Sequence, residues 1–261
     1  MNVQASAPLR EELMAIYQSK YCRKGPPGWG PRGRLAQDYF FPDDHYEALV
    51  SRFVQPRTTW LDVGCGRDTF PSHAELAREL CSKAEFVAGV DPDDNINENP
   101  FVTERFQGLI EDYRTDRKFD LITMRMVAEH IVDPERTIRR IADLMNPGGH
   151  FIVLTPHKWA PMSVVATIVP FWMHNPMKWF IWKTEARDTF PTAYKLNTHA
   201  DLSGHARRCG LEEAYFSIVD DCSVTIRYRA LNWIELRTRR LLNAVGAHHP
   251  ECCILAVYRK L

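Results

Sequence analysis

The chain has 261 residues, 45% of them hydrophobic, with 33 Lys plus Arg balanced by 33 Asp plus Glu. That length and apolar content suit one large α/β domain with attachments, while the balanced charge leaves no global field to gather phosphates and argues against nucleic acid as a partner. The first ten residues lack a basic start followed by an apolar run, so no signal peptide is read and the cytoplasm is the expected compartment.

In chain order, Leu9, Leu13, Ile16 and Tyr17 recur at helical spacing. With Ser6 as candidate cap and Pro8 in the first turn, they predict a helix of about three turns lying over the core as a lid. Gly25-Pro26-Pro27-Gly28-Trp29-Gly30-Pro31-Arg32-Gly33 is too rich in Gly and Pro for regular structure. It reads as a loop that either folds over a ligand or is pinned to the body by Trp29. A helix over Asp43 to Phe53 follows, so residues 1–58 read as an N-terminal helical cap and residues 59–261 as the main domain.

Thr59-Trp60-Leu61-Asp62-Val63-Gly64-Cys65-Gly66-Arg67-Asp68 is the stretch around which the rest is arranged. A short apolar run breaking into a turn with two glycines is how a buried parallel strand delivers its end to a ligand above the sheet. Phe86 to Asp91 reads as a second buried strand ending in an acid, from which a carboxylate can accept bonds from both hydroxyls of a ribose. The glycine spacing fits a dinucleotide poorly, because Thr69 and Pro71 stand where a small residue and an open helix N-terminus are needed. Asp62 would oppose a pyrophosphate but suits a cofactor carrying an ammonium and a sulfonium.

Ser72 and Glu75 form a capping box for the next helix, with Pro71 delaying its start. Asp91 to Pro100 is acidic loop, Phe101 to Phe106 includes a short third strand, and Phe119 to Met124 reads as a fourth strand buried on both faces. Asp133-Pro134 opens a helix along Ile138, Ile141, Ala142 and Met145 that Pro147-Gly148-Gly149 ends, and His150 to Thr155 is the fifth strand. Residues 156–196 hold Trp159, Trp172, Trp179 and Trp182 with Phe171, Phe180 and Phe190, and read as an insertion over the ligand mouth. Prolines and polar residues interrupt it too often for a membrane span. A wall of an apolar substrate pocket, a surface resting on a membrane through residues 159–182, and an extra core layer or dimer contact all remain open. A helix from Asn197-Thr198 to Cys209-Gly210 leads to a strand over Leu211 to Val219, then a helix with Leu231, Ile234, Leu241 and Val245 as its apolar positions and Arg237, Arg239 and Arg240 outside. Cys252 to Arg259 is the final strand. Seven cysteines without a C-x-x-C pair read as reduced, and His248-His249 is the nearest approach to metal spacing, so no metal is expected.

Leu61-Asp62-Val63-Gly64-Cys65-Gly66, Gly89-Val90-Asp91, Phe119-Asp120-Leu121-Ile122, Glu129-His130 and Asn146-Pro147-Gly148-Gly149 follow one another in the order found in class I S-adenosylmethionine-dependent methyltransferases, and the chain resembles the small-molecule group of that family from about Trp60 to Pro156. The resemblance implies a doubly wound, Rossmann-like, mostly parallel seven-stranded sheet with an antiparallel last strand. It implies S-adenosylmethionine as cofactor, held by Asp62, Gly64, Cys65, Gly66 and Asp68 in the first loop, Asp91 and Pro92 at the ribose, Leu109, Ile110 and Glu111 at the adenine, and Arg125 at the end of strand four. Leu109 stands where an acid is commonest, and Asp68 either faces the ammonium or caps its turn. Methyl transfer needs alignment and exclusion of water, and a hydroxyl acceptor also needs a base. His130 and His157, after strands four and five, are the candidate bases, with Glu129 beside the first. The implied acceptor is a small, apolar or aromatic metabolite, with oxygen the favoured atom; the alternatives are a catalytically degenerate S-adenosylmethionine-binding protein, to which Asp68 and Leu109 point, and a methyltransferase acting on a lipid at the membrane surface.

Overall fold

A computed structural model of the chain describes residues 5–23, 25–168 and 191–261. Seven strands, β1 Thr59–Val63, β2 Phe86–Asp91, β3 Glu104–Gln107, β4 Phe119–Arg125, β5 Met145–Pro156, β6 Leu211–Asp220 and β7 Cys252–Lys260, form one sheet in the order β3-β2-β1-β4-β5-β7-β6. Strand β7 runs antiparallel to both of its neighbours, and the remaining pairs are parallel. The order reverses between β1 and β4, so the loops leaving their carboxyl ends diverge and open the crevice in which such sheets take ligands.

Alternation along the strands builds two cores. Trp60, Val87, Leu121, Ile152 and Leu255 point to one face, where helices α1 Arg10–Tyr17, α3 Pro42–Phe53 and α4 Ala74–Lys83 cover them. Leu61, Ala88, Ile122, Val153 and Ala256 point to the other, under α5 Pro134–Leu144 and α7 His199–Arg208. Helix α1 contributes Leu13, Ile16 and Tyr17 to the first core, so the N-terminal segment is a packed layer of the sheet. Helices α2 Trp29–Ala36, α6 Pro161–Ile168 and α8 Arg229–Ala244 complete the described set.

Five local expectations need correction. Ser6 does not cap α1: Glu12 Oε2 accepts the Leu9 N–H at 2.6 Å, and Ser6 instead receives Arg52 Nη1 on its carbonyl at 2.9 Å. The Gly/Pro-rich stretch contains α2, in which Pro31 falls in the first turn where a missing N–H costs nothing. The Arg229 guanidinium lies 5.3 Å from the Trp29 ring centroid and holds that helix against α8. Ser72 is exposed and α4 starts at Ala74, after His73, whose ring turns inward to Glu47 Oε2 at 2.9 Å. Pro147-Gly148-Gly149 lies inside β5 as a bulge, and a Cβ on Gly149 would sit 2.9 Å from the Asn146 carbonyl oxygen. Helix α8 buries Asn232 and Leu236 while leaving Leu231, Ile234, Leu241 and Val245 exposed. Arg239 faces inward, with Nε 2.8 Å from Asp220 Oδ2. Polar anchors, not apolar periodicity, choose that helix's face.

The aromatic residues Phe171, Trp172, Trp179, Phe180, Trp182 and Phe190 lie outside the described residues, while Trp159 is exposed. Among the described residues no helix is long and apolar enough to cross a membrane.

Candidate active site

The loops leaving β1, β2 and β3 are knitted together by their own backbones. Gly64 donates its N–H to the Val90 carbonyl at 2.7 Å, and Gly108 donates to the Asp91 carbonyl at 2.9 Å. Asp91 Oδ2 accepts the Gly66 N–H at 2.9 Å, and Oδ1 accepts the Asp93 N–H at 2.8 Å, so the carboxylate is aimed from both sides. Asn99, fully buried, donates to the Gly66 carbonyl at 3.1 Å and stands behind the first turn. Gly64 and Gly66 both have positive φ, at 74° and 47°. At the end of β4 the chain turns through Met126, φ 54°, and lays Val127 directly over Gly64.

Beneath these loops is a buried acid. Asp62 pairs in register with Thr123 of β4, whose hydroxyl donates to Asp62 Oδ1 at 2.8 Å while receiving the Trp60 indole N–H at 2.7 Å. Burial pushes the Asp62 carboxyl up to about 7, against the lowering effect of the Thr123 bond and the Arg125 cation. Arg125 itself is clamped by Asp43 through two bonds of 2.9 and 2.8 Å, which fixes the end of β4 to the start of α3. Asp62 Oδ2, Asp68 Oδ1 and Asn95 Oδ1 are buried without a hydrogen bond of normal geometry. The Thr69 hydroxyl acts on Asp62 and the Phe70 backbone on Asp68, yet the acceptors around this glycine turn keep capacity that a donor-bearing ligand can fill. An ammonium fits that set, so the residues present suit the cofactor implied by the motifs. Cys65 is buried and its thiol is pushed up by burial, which leaves it a packing residue between the glycines.

Pro92 and Leu109 are both exposed and each follows one partner of the Asp91–Gly108 hydrogen bond, so they emerge side by side at the crevice. Ile110 turns its side chain into the core, and Glu111 accepts from the Thr137 hydroxyl of α5. The surface that would meet the adenine is therefore apolar side chain and backbone, with Glu111 tied to the helix behind it.

Glu129 and His130 follow β4 as expected, in a single helical turn over Ala128–His130. Glu129 is buried and its carboxyl is raised by burial; Oε2 accepts the Thr155 hydroxyl at 2.9 Å, and Asn197 donates to that same hydroxyl at 2.7 Å. Its carbonyl also holds the N–H groups of Ala193 and Tyr194 at 2.7 and 3.1 Å. His130 Nδ1 lies 3.0 Å from the Pro191 carbonyl, which can only accept, so in the neutral ring Nδ1 carries the proton and Nε2 is basic. His157 is set the other way: its Nδ1 accepts the Trp159 N–H at 3.2 Å, so Nε2 carries the proton. Thr123, Val127, Asn99 and Asn197 are absent from the sequence-based site. A threonine amid Leu121, Ile122 and Met124 is a readable signal, whereas neither asparagine has a local one.

Residues 37–200 match the methyltransferase domain family. The chain belongs to that family. It is similar to a ubiquinone biosynthesis O-methyltransferase of Ralstonia nicotianae, 27% identical over 80% of this chain and 90% of that protein. A relative of the same name from Marinobacter nauticus is 25% identical over 58% of this chain, which spans 63% of its length. Its fold is that of the S-adenosylmethionine-dependent methyltransferase of Mesorhizobium loti, with a TM-score of 0.54 and 16% identity over 86% of this chain and 100% of that one. The methyltransferase is an enzyme, and its cofactor is S-adenosylmethionine. That cofactor supplies an electrophilic methyl group when bound; Asp62 and Asp68 would take its ammonium, Asp91 its ribose, and Pro92 and Leu109 its adenine faces. Asp91→Ala is expected to weaken S-adenosylhomocysteine binding by about 1–3 kcal/mol, the range for stranding a buried polar partner. Calorimetric titration measures it, and an unchanged affinity would remove Asp91 from the ribose.

Proposed function

We infer that this methyltransferase moves the methyl group to a hydroxyl of a small apolar, aromatic acceptor of the kind found among quinone precursors. The observation that carries the reading is His130, whose Pro191-bonded Nδ1 makes Nε2 the basic nitrogen at the carboxyl end of β4. Oxygen acceptors need a proton removed as the methyl arrives, and an imidazole nitrogen presenting its lone pair can take it. The likeness to a ubiquinone biosynthesis O-methyltransferase along 80% of the chain supports the acceptor class. Glu129, locked to Thr155 and to the backbone of Ala193 and Tyr194, shapes the floor beneath the histidine. His157, a donor in the tautomer that the Trp159 N–H selects, orients the acceptor rather than deprotonating it. The test is methyl incorporation into catechol-type acceptors with and without a short prenyl tail, set against amine acceptors. Turnover confined to amines would sink the proposal, as would full activity in His130→Ala.

The buried acid gives this reading a pH signature. A carboxyl raised to about 7 is largely protonated below neutrality, and an arriving ammonium favours its ionised form, so binding releases a proton. Affinity for S-adenosylhomocysteine is expected to rise by up to about tenfold per pH unit as pH climbs toward 7, then flatten above it. Titration calorimetry in two buffers of different ionisation enthalpy reads the released proton directly. No release at pH 6.5 would mean that Asp62 does not meet the ammonium.

A further inference from the structure

Away from the methyl-donor loops, the structure gathers three side chains that are far apart in sequence. Cys222 follows β6, Glu235 lies on α8 and His249 precedes β7; one ligand atom from each lies within 4.8 Å of the others. Each is already held from behind. The Cys222 backbone is fixed at both ends, its N–H donating to the Tyr39 hydroxyl at 2.8 Å and its carbonyl accepting Asn232 Nδ2 at 3.0 Å. Glu235 Oε2 accepts from the Thr225 hydroxyl and from Asn232 Nδ2, the latter at 3.2 Å. His249 Nδ1 lies 3.1 Å from the Glu251 carbonyl, an acceptor, so in the neutral ring the lone pair belongs to Nε2. That nitrogen is 3.9 Å from Glu235 Oε1, too long for a hydrogen bond. Tetrahedral zinc with bonds of about 2.0–2.2 Å to nitrogen and oxygen separates them by about 3.4 Å, so this pair closes by about 0.5 Å, while the Cys222 thiol, within 4.8 Å of both, must move in with it.

We propose that Cys222, Glu235 and His249 bind a zinc ion that fastens the exit of β6, the middle of α8 and the entry to β7 to one another. The donor set selects the metal: a thiolate with an imidazole suits zinc and disfavours magnesium or calcium, which take oxygen. The hydrogen bonds to Asn232, Thr225 and the Glu251 carbonyl orient the ligands from the second layer as metal sites require. Among the described residues the Glu235, Asp221 and Asp220 carboxyls lie around Cys222 against the Arg239 guanidinium, which pairs with Asp220, so the surroundings favour a positive ion. The partial exposure of His249 and Glu235 leaves a water room for the fourth position. The role is structural, since α8 has few buried apolar residues to hold it against the sheet.

The purified full chain, stripped with chelator and dialysed with zinc, is expected to retain one ion per chain. Cobalt in its place should give a thiolate-to-metal charge-transfer band that Cys222→Ser abolishes, while His249→Gln weakens cobalt binding by at least about tenfold. His249 is only partly buried, so its variant reads the site even if Cys222→Ser fails to fold; His248→Gln, on an exposed neighbour, should leave the band unchanged. A chain that retains no metal, a cobalt spectrum without the thiolate band, or a band that survives Cys222→Ser would each overturn the proposal.

Discussion

Lys20→Met is expected to lower folding stability by about 3–5 kcal/mol, a large share of the roughly 5–15 kcal/mol that holds a domain together. Lys20 Nζ lies 3.0 Å from Asp44 Oδ1 and 2.7 Å from Glu47 Oε1, with the lysine side chain 4% exposed and each carboxylate 2%. Burial alone would depress the ammonium, but the Glu47 and Asp44 carboxylates outweigh it and raise it above the usual lysine value. A raised lysine contributes stability that is complete below its unfolded pKa near 10.4, so the contribution is intact at neutral pH and fades only in strong alkali. Removing it leaves two buried carboxylates without their cation, one of which also holds His73 in front of α4. Chemical denaturation measures the loss. Adding Glu47→Gln to the variant should restore part of it, because one stranded charge is then gone. A loss under about 1 kcal/mol would mean the pair carries no weight in the fold.

Gly64→Ala should cost about 2–5 kcal/mol and abolish cofactor binding. Its φ of 74° already charges any side chain about 1–2 kcal/mol, and a Cβ there would lie 2.0 Å from Val127 Cγ2. Val127 cannot step aside easily, since it is β-branched and follows Met126, itself at positive φ, whose N–H is held by the Leu154 carbonyl at 2.8 Å. The overlap adds about 1–3 kcal/mol. Val127→Ala in the same chain removes the nearest methyl and should recover the overlap while leaving the backbone penalty. Additive losses in the double variant would show that the clash is relieved elsewhere.

The sheet and the cofactor loops are legible because their information is local. β1, β2 and β4 are mostly apolar runs, and the residues that end β1 and β2, the glycines and Asp91, are themselves the chemistry. Elsewhere the deciding contacts come from distant chain. Helix α2 forms despite Gly30, Pro31 and Gly33 because Arg34 stacks 4.0 Å from the Phe41 ring and Arg229 covers Trp29. The face of α8 is chosen by Asn232 reaching Cys222 and Arg239 reaching Asp220, which no count of apolar positions could reveal. The two histidines look alike in sequence and differ only in what meets Nδ1, a carbonyl for His130 and an N–H for His157. Cys222, Glu235 and His249 have no motif spacing, so only the fold brings them together.

The place of β7 between β5 and β6 also bears on how the chain is made. β5 leaves the ribosome with one edge unmatched, and its partner is synthesised only after roughly a hundred further residues, about 5–20 s at ordinary translation rates. β5 can pair at once with β4, already made, but β6 emerges in the interval with its only strand partner still missing and cannot join the sheet. Closing the gap late, by a strand that must slot between two waiting edges, makes this the slow and long-range step of assembly. A nascent or truncated chain would therefore offer the bare edge of β5, largely buried side chains and all, as the surface most prone to capture a strand from another molecule.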